Sequence, residues 1–413
     1  MSEVTLESIV KAKQNINEVI KDTKLEFNNF LSEKFNARVY IKREDMSPIR
    51  SYKLRGAYNF ITQQVRNGNN QFVCASAGNH AQGFALACNK YQSKGVVFMP
   101  ATTPAQKISK VIKFGGEYID LKMAGDTFDD AYARAQEYSR QNNNIFVHPF
   151  NEPLIIAGQG TVGLEILAQC KSHIDYLLVP IGGGGLISGI SVYFKHMSPD
   201  TKIIGIEPEG APSMSRSLDA GEVVELDKID SFVDGAALKR VGEINFDLVK
   251  KYVDQVVTVP EGRVCTTMLE LLYEDGIVTE PAGALSVDVL RDFKEQFKGK
   301  TVVCVLSGGN FDFERLPEVK ERSLIHEGLK HYVVVNFAQR AGALREFLEF
   351  LGPHDDITRF EYIKKTNKEK GPALVGIELK DPDDFKNIIK KMDENNMLYE
   401  KISSDSILFD LII

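Results

Sequence analysis

The chain reads as an open α/β protein with a mostly parallel sheet, followed by a smaller ferredoxin-like β-α-β-β-α-β unit. Three observations predict this. Short, continuous apolar runs alternate with helical patterns through residues 1–325. Three of those runs end in Gly-rich polar turns. Beyond a charged patch around Pro317 the pattern changes, and from His331 onward strands pair two by two around two helices.

The strand candidates are residues 38–42, 72–75, 95–99, 176–181, 202–207 and 301–306. They are unbroken rather than alternating, as suits strands buried on both faces of a parallel sheet. Helical patterns lie between them at 56–66, 128–140 and 186–195. In such sheets ligands bind at the carboxyl ends of strands. The turns after 72–75, 176–181 and 301–306 therefore mark a crevice. The last unit reads as strand 332–337, helix 342–351, strand 357–363, turn 366–372, strand 373–379, helix 384–392 and a closing strand 406–413. That order is the ferredoxin-like plan, and it places the domain boundary at 325/326.

Bulk properties narrow the partners. A chain of 413 residues, 43% hydrophobic and 26% charged, has the balance of a globular protein with more than one core. A net charge of −7 with scattered Lys and Arg gives no basis for binding nucleic acid or an anionic membrane. No apolar run approaches the roughly 20 residues of a membrane helix. Residues 1–16 have neither an apolar core nor a small-residue cleavage site, so no secretory signal is expected. The cysteines Cys74, Cys88, Cys170, Cys265 and Cys304 are odd in number and form no C-x-x-C pair. They read as reduced thiols of a cytoplasmic protein. No H-E-x-x-H, Cys–His cluster or EF-hand loop occurs, so no catalytic metal is expected.

Four segments carry chemistry. Lys53, in the run Ser51 to Ala57 after Pro48, stands at a helix start, where the positive dipole end lowers its pKa and favours a neutral, imine-forming amine. The turn from Ser76 through Ala77, Gly78, Asn79 and His80 to Gly83 follows a strand. Its small residues admit a ligand to the backbone, and Asn79 offers donors and an acceptor. His80 reads as a residue that orders this loop. The four glycines Gly182, Gly183, Gly184 and Gly185, with Leu186, join a strand to a helix. Freed backbone N–H groups there suit an anion. Neither the dinucleotide fingerprint nor a Walker loop fits, so a smaller phosphorylated cofactor is expected. Ser307, at the end of the last long strand, points a hydroxyl toward the same crevice. Glu280 reads equally as a crevice residue and as a helix start.

Taken together, in this order and spacing, the four segments resemble the threonine dehydratase (threonine ammonia-lyase) family of fold-type II pyridoxal-phosphate enzymes, over residues 5 to 320. The resemblance implies a catalytic region 1–325 of two lobes, the smaller roughly 50–145 and inserted in the larger. It implies that Lys53 holds pyridoxal 5'-phosphate through an imine and moves the substrate's α-proton. Asn79 would contact the cofactor's 3-hydroxyl, Ser307 its pyridine nitrogen, and the N–H groups of Gly182, Gly183, Gly184, Gly185 and Leu186 its phosphate. Ser76, Ala77, Gly78 and Asn79 would bind the substrate carboxylate. The implied reaction converts L-threonine to 2-oxobutanoate and ammonia by α,β-elimination of water, the first step of isoleucine biosynthesis, with L-serine as a secondary substrate. The alternative is a catabolic serine/threonine dehydratase. Two positions depart from serine racemases of the same fold. Ala77 replaces the serine that serves as their second base, and Ser213 replaces an acid of their divalent-metal site.

Residues 326–413 resemble the ACT-like regulatory domain of the biosynthetic branch. One such unit rather than two suggests its shorter form. Ala341 stands where these domains often carry proline. A homo-oligomer, dimer or tetramer, is the general expectation for such a chain, and the resemblance implies isoleucine as effector, with valine as a second candidate.

Overall fold

A computed structural model describes residues 3–364, 368–402 and 406–412. The chain divides into two compact units, Met1–Asp312 and Phe313–Ile413.

The first unit holds ten strands: β1 (Leu25–Phe27), β2 (Arg38–Arg43), β3 (Gln71–Ala75), β4 (Lys94–Met99), β5 (Ile119–Met123), β6 (Ile145–Phe146), β7 (Tyr176–Pro180), β8 (Lys202–Pro208), β9 (Gln255–Val259) and β10 (Thr301–Leu306). They form a six-stranded sheet, β1-β2-β10-β7-β8-β9, and a four-stranded sheet, β5-β4-β3-β6. All pairs are parallel except β1 with β2. Parallel strands require crossover helices on both faces, and this is why β7 and β10 are apolar throughout their middles, while β2 carries one buried lysine, Lys42. Strands β1, β5, β6 and β9 have no counterpart among the continuous apolar runs. They are edge strands, short or only partly buried.

Three helices meet closely beneath the cavity described below: Lys53–Arg66, Pro153–Gln169 and Gly185–Met197. A side chain at Gly158 would lie 2.6 Å from the Arg55 carbonyl oxygen, and one at Gly189 would lie 2.3 Å from that of Ile156. Only glycine permits that approach of backbones.

At this junction lies a knot of charge whose centre, Arg55, Lys42, Glu44 and Glu165, is fully buried. Arg55 bonds Glu44 through Nε and Nη2 (both 2.8 Å) and Glu165 through Nη1 (2.7 Å) and Nη2 (2.9 Å). Lys42 and Lys13 also reach Glu165, at 2.7 and 2.6 Å, and Lys13 pairs with Asp22 at 2.5 Å. Thr23 donates its hydroxyl to Glu44 at 2.6 Å. Burial is the largest single influence on the Glu165 carboxylate and works against it, but the charges of Arg55 and Lys42 and the hydrogen bonds from Arg55 and Lys13 together outweigh it and hold the group well below the carboxylate range.

The second unit has strands β11 (Lys330–Ala338), β12 (Asp356–Tyr362), β13 (Lys370–Glu378) and β14 (Tyr399–Lys401), in the antiparallel order β12-β13-β11-β14. Helices Ala343–Leu348 and Asp384–Glu394 complete the β-α-β-β-α-β plan around Phe337, Phe347, Val375 and Ile388. Helix Leu316–His326 belongs to this unit, tied to β11 by Glu321, which accepts from Tyr332 Oη at 2.5 Å and Lys330 Nζ at 2.7 Å.

The closing strand expected at 406–413 is not one. Residues Ile407–Ile412 are helical, and the edge of the sheet is filled by Tyr399–Lys401 paired with Val333–Val335. A short apolar run satisfies either state, and here the preceding segment reaches the edge first. Of the expected turn 366–372, Thr366 and Asn367 lie outside the described residues, and Gly371 and Pro372 already belong to β13.

Removing one partner from the knot should be severe. Glu165→Ala leaves Arg55 and Lys42 buried without that carboxylate, and the loss expected is about 3–5 kcal/mol. Urea unfolding of the full chain, followed by far-ultraviolet circular dichroism, reads it. A loss below about 1 kcal/mol, the range of an exposed pair, would contradict the assignment.

Candidate active site

The carboxyl ends of β3, β7 and β10 open into one cavity of about 740 Å3. Its lining includes Lys53, Ser76, Ala77, Gly78, Asn79, Gly182 and Ser307. All its lining residues fall between 52 and 310. Gly183, Gly184, Gly185 and Leu186 continue from Gly182 along the same turn into the helix beneath it.

Lys53 is the first residue of helix Lys53–Arg66. Its Nζ donates to the Pro149 carbonyl at 3.1 Å. Burial pushes its pKa down to about 8, against a small opposing pull from Glu280. Desolvation is thus the main source of the neutral amine. Two histidines share this environment. His80 bonds the Val147 carbonyl through Nε2 at 3.1 Å, which makes that nitrogen the protonated one. His148 Nδ1 accepts from the N–H groups of Phe150 (3.2 Å) and Asn151 (2.8 Å). Burial, then the charge of Lys53, lowers His80 to about 3 and His148 to about 4. Both are neutral at physiological pH. His80 orders the loop, as its sequence setting suggests.

Asn79 begins the helix Asn79–Lys90 behind Gly78. Its amide group donates to both oxygens of Glu280, at 2.8 and 3.0 Å, and its oxygen accepts from Asn310 Nδ2 at 2.7 Å. In the turn before it, the Ser76 N–H bonds Phe98 O and the Gly78 N–H bonds Ser76 Oγ, both at 3.1 Å. Among the described residues, the Ala77 and Asn79 N–H groups have no protein acceptor and are open to a ligand.

Gly184 caps the helix Gly185–Met197 at φ +89°, a conformation that favours glycine. A side chain on Gly183 would enter the Phe150 ring at 2.4 Å. Asn245, 62 residues away and fully buried, clamps the loop by donating to Gly183 O at 2.6 Å. Among the described residues, the N–H groups of Gly182, Gly183, Gly184, Gly185 and Leu186 have no protein acceptor. Ser307 is buried, its hydroxyl bonds no protein group among the described residues, and its carbonyl accepts from the Tyr52 N–H at 3.1 Å.

These features fit pyridoxal phosphate. Unsatisfied N–H groups at a helix N-terminus suit its phosphate, a desolvated amine suits its aldehyde, and an unpartnered hydroxyl suits its ring nitrogen. Glu280, Phe150, His148 and Asn245 join the site without a motif of their own. Only the proline after Glu280, a helix-start signal, hinted at one of them. In the second unit no such arrangement of buried titratable groups occurs among the described residues, nor does any cluster of metal ligands in either unit.

The lysine can be tested alone. In cofactor-free, full-length protein an amine-selective reagent should label Lys53 with a midpoint near pH 8, against 10.5 for an ordinary lysine. The folded value lies below the unfolded one. The buried ammonium therefore opposes folding below pH 8, and that penalty is relieved as pH rises from 8 toward 10.5. Peptide mapping that returns a midpoint above 10 would contradict the burial argument.

Two family models match the chain: "Pyridoxal-phosphate dependent enzyme" over residues 16–308 and "C-terminal regulatory domain of Threonine dehydratase" over 321–412. L-threonine dehydratase biosynthetic IlvA of Halalkalibacterium halodurans is 52% identical over 100% of both chains, and that of Bacillus subtilis is 52% identical over 99% of this chain and 98% of its own. Among solved structures, processed threonine deaminase isoform 2 of Solanum lycopersicum superimposes with a TM-score of 0.73 at 36% identity, covering 78% of this chain and 91% of that one. Maize serine racemase gives 0.72 at 26% identity, covering 79% and 99%. With a catalytic cavity built for pyridoxal phosphate and a full-length match that includes the regulatory unit, the chain belongs to the biosynthetic threonine dehydratase family of pyridoxal-phosphate-dependent enzymes.

Proposed function

We propose that this enzyme converts L-threonine to 2-oxobutanoate and ammonia, the first step of isoleucine biosynthesis, and accepts L-serine as a secondary substrate. The observation that carries the reading is Lys53: a buried amine, pushed toward neutrality, in a cavity whose other walls offer unsatisfied N–H groups and a free hydroxyl. The five cysteines are all free thiols, which agrees with a reducing cytoplasm. Among the described residues no helix is long and apolar enough to cross a membrane.

When bound, pyridoxal phosphate supplies a conjugated electron sink that stabilises negative charge at the substrate α-carbon. The chain's own residues then divide the work. Gly182 to Leu186 hold the phosphate through backbone N–H groups, with Asn245 and Phe150 fixing the loop. Ser307 bonds the ring nitrogen. A serine, unlike a carboxylate, does not enforce protonation of that nitrogen, and this favours prompt loss of the β-hydroxyl over transamination. Ala77 and Asn79 N–H groups receive the substrate carboxylate. Lys53, as the neutral amine, takes the α-proton. The β-hydroxyl leaves as water, and hydrolysis of the released product gives the oxo acid and ammonia. Ala77 has no hydroxyl to serve as a second base, which speaks for elimination rather than racemisation.

Lys53→Ala should abolish 2-oxobutanoate formation from threonine and the visible absorbance of the bound cofactor, while circular dichroism of the fold persists. A purified variant with wild-type absorbance and turnover would remove Lys53 from this role.

Regulation is proposed for the second unit. Isoleucine, or valine as second candidate, binds there and lowers threonine affinity. The support is that Phe313–Ile413 is compact, matches a regulatory family and supplies none of the cavity's residues. A coupling of about 1–3 kcal/mol corresponds to a several-fold to hundredfold change in affinity and must be reciprocal. Calorimetry of full-length enzyme should detect isoleucine binding that threonine weakens by the same factor as isoleucine weakens threonine. Absence of binding would end the proposal.

A further inference from the structure

Of the carboxylates that line the cavity, Asp129, Glu225, Asp234 and Glu243 are exposed, and Glu280, which the mechanism above does not use, is buried. It is 6% exposed. Both of its oxygens receive the Asn79 amide group, at 2.8 and 3.0 Å. The Asn310 backbone N–H also reaches it. Among the described residues no Lys or Arg forms an ion pair with it, in contrast to every carboxylate of the Arg55 knot. Space for it is reserved from the other side. A side chain on Gly308 would come within 2.2 Å of Glu280 Oε1, while the Gly308 carbonyl accepts the Glu280 N–H at 3.2 Å.

The consequence falls on Asn79. Its oxygen accepts from Asn310 Nδ2, which also donates to Ile49 O, both at 2.7 Å. Turning the carboxamide over would set its oxygen against the Glu280 carboxylate and its NH2 against the NH2 of Asn310. Both contacts would be repulsive, so the amide has a single orientation. A carboxamide nitrogen carries two N–H bonds, so one N–H shared by the two carboxylate oxygens would leave the other for a ligand. A neutral glutamine at 280 would accept the same bond without the penalty of burying an unpaired charge.

We infer that Glu280 is a positioning residue of the active site, which holds the Asn79 carboxamide in its one productive orientation toward the cofactor and adds a proton-binding group beside it. The inference rests on the reading that Asn79 contacts pyridoxal phosphate. Burial, opposed by the Asn79 bond, pushes Glu280 up to about 7, so it changes charge in the working range. The titratable groups that face it are Tyr52, Lys53, Lys107, Lys110 and Asp234. Lys107 is itself paired with Asp234 at 2.6 Å, and Lys110 bonds Asn310 Oδ1 at 3.1 Å.

A cycle of variants tests this in full-length holoenzyme. Equilibrium dialysis against falling pyridoxal phosphate gives the cofactor Kd of wild type, Asn79→Ala, Glu280→Ala and the double variant. Loss of one hydrogen bond predicts that each single variant binds about fivefold to tenfold more weakly. If Glu280 acts through Asn79, the double variant binds no more weakly than Asn79→Ala. Glu280→Gln, which keeps an acceptor for Asn79, should fold and retain cofactor affinity within about twofold. Wild-type cofactor absorbance should show an inflection near pH 7, and this variant should lose it. Effects of the two alanine variants that multiply would overturn the inference, as would wild-type affinity in Glu280→Ala beside a weakened Asn79→Ala. An inflection that persists in Glu280→Gln would remove the proton-binding part. If Asn79→Ala itself binds normally, the Asn79 contact is wrong, and the role of Glu280 falls with it for that separate reason.

Discussion

The active site depends on a set of charges that never touches the cavity. Arg55 lies two residues after Lys53, and two helical residues point about 200° apart. When Arg55 is drawn into the knot, Lys53 is turned to the opposite side and into the cavity. The knot's partners come from four places: Lys13, Asp22 and Thr23 in the N-terminal segment, Lys42 and Glu44 at the end of β2, Arg55 itself, and Glu165 on the helix Pro153–Gln169. Two cations, Arg55 and Lys42, meet two anions, Glu44 and Glu165, so the charge is balanced where water is excluded, and Lys13 leads from Glu165 out to the exposed Asp22. Hydrophobic packing alone does not prescribe the rotation of a helix about its axis so strictly.

The cavity treats charge in the opposite way. Buried groups there have few ionic partners, and each is driven toward its neutral form. Lys53 falls, His80 and His148 fall further, and Glu280 rises. The same desolvation acts in both regions, and pairing decides the outcome. An enzyme that needs a neutral amine and a proton acceptor near neutral pH gains from the unpaired arrangement. The rigid helix that presents them gains from the paired one.

The loops that carry Lys53 and Ser307 are also joined directly. Besides the Tyr52 to Ser307 bond, Gly309 N–H donates to Arg50 O at 2.9 Å, and Arg50 Nε returns to Gly309 O at 3.2 Å. Arg50 adopts φ +58°, costly for a residue other than glycine, and these contacts on both sides hold it there. Strain immediately before Lys53 fixes where the helix begins. The regulatory unit is built differently. Its sheet is antiparallel, so its strands alternate in burial, and its aromatic core around Phe337 and Phe347 closes without a buried charge knot among the described residues.

The sequence by itself determined what is local. Continuous apolar runs reveal β2, β3, β4, β7, β8 and β10, because strands buried on both faces admit few polar residues, and those they admit, such as Lys42 and Glu207, stand near the carboxyl end of the strand. Lys53, Asn79, the four glycines and Ser307 stand out because each sits at a junction of strand and helix that only certain residue types can form. Edge strands left no such trace: β1 and β6 are two or three residues long, and β5 is only partly buried. The final apolar run suited strand or helix equally, and only pairing of Tyr399–Lys401 with β11 decided between them. Tertiary structure alone brought Glu280 to Asn79 across 201 residues, Asn245 to the glycine loop across 62 and Glu165 to Arg55 across 110. A glutamate before a proline reads as a helix start whatever it later meets. Its charge acquires a chemical role only when folding removes the water and chooses the partner.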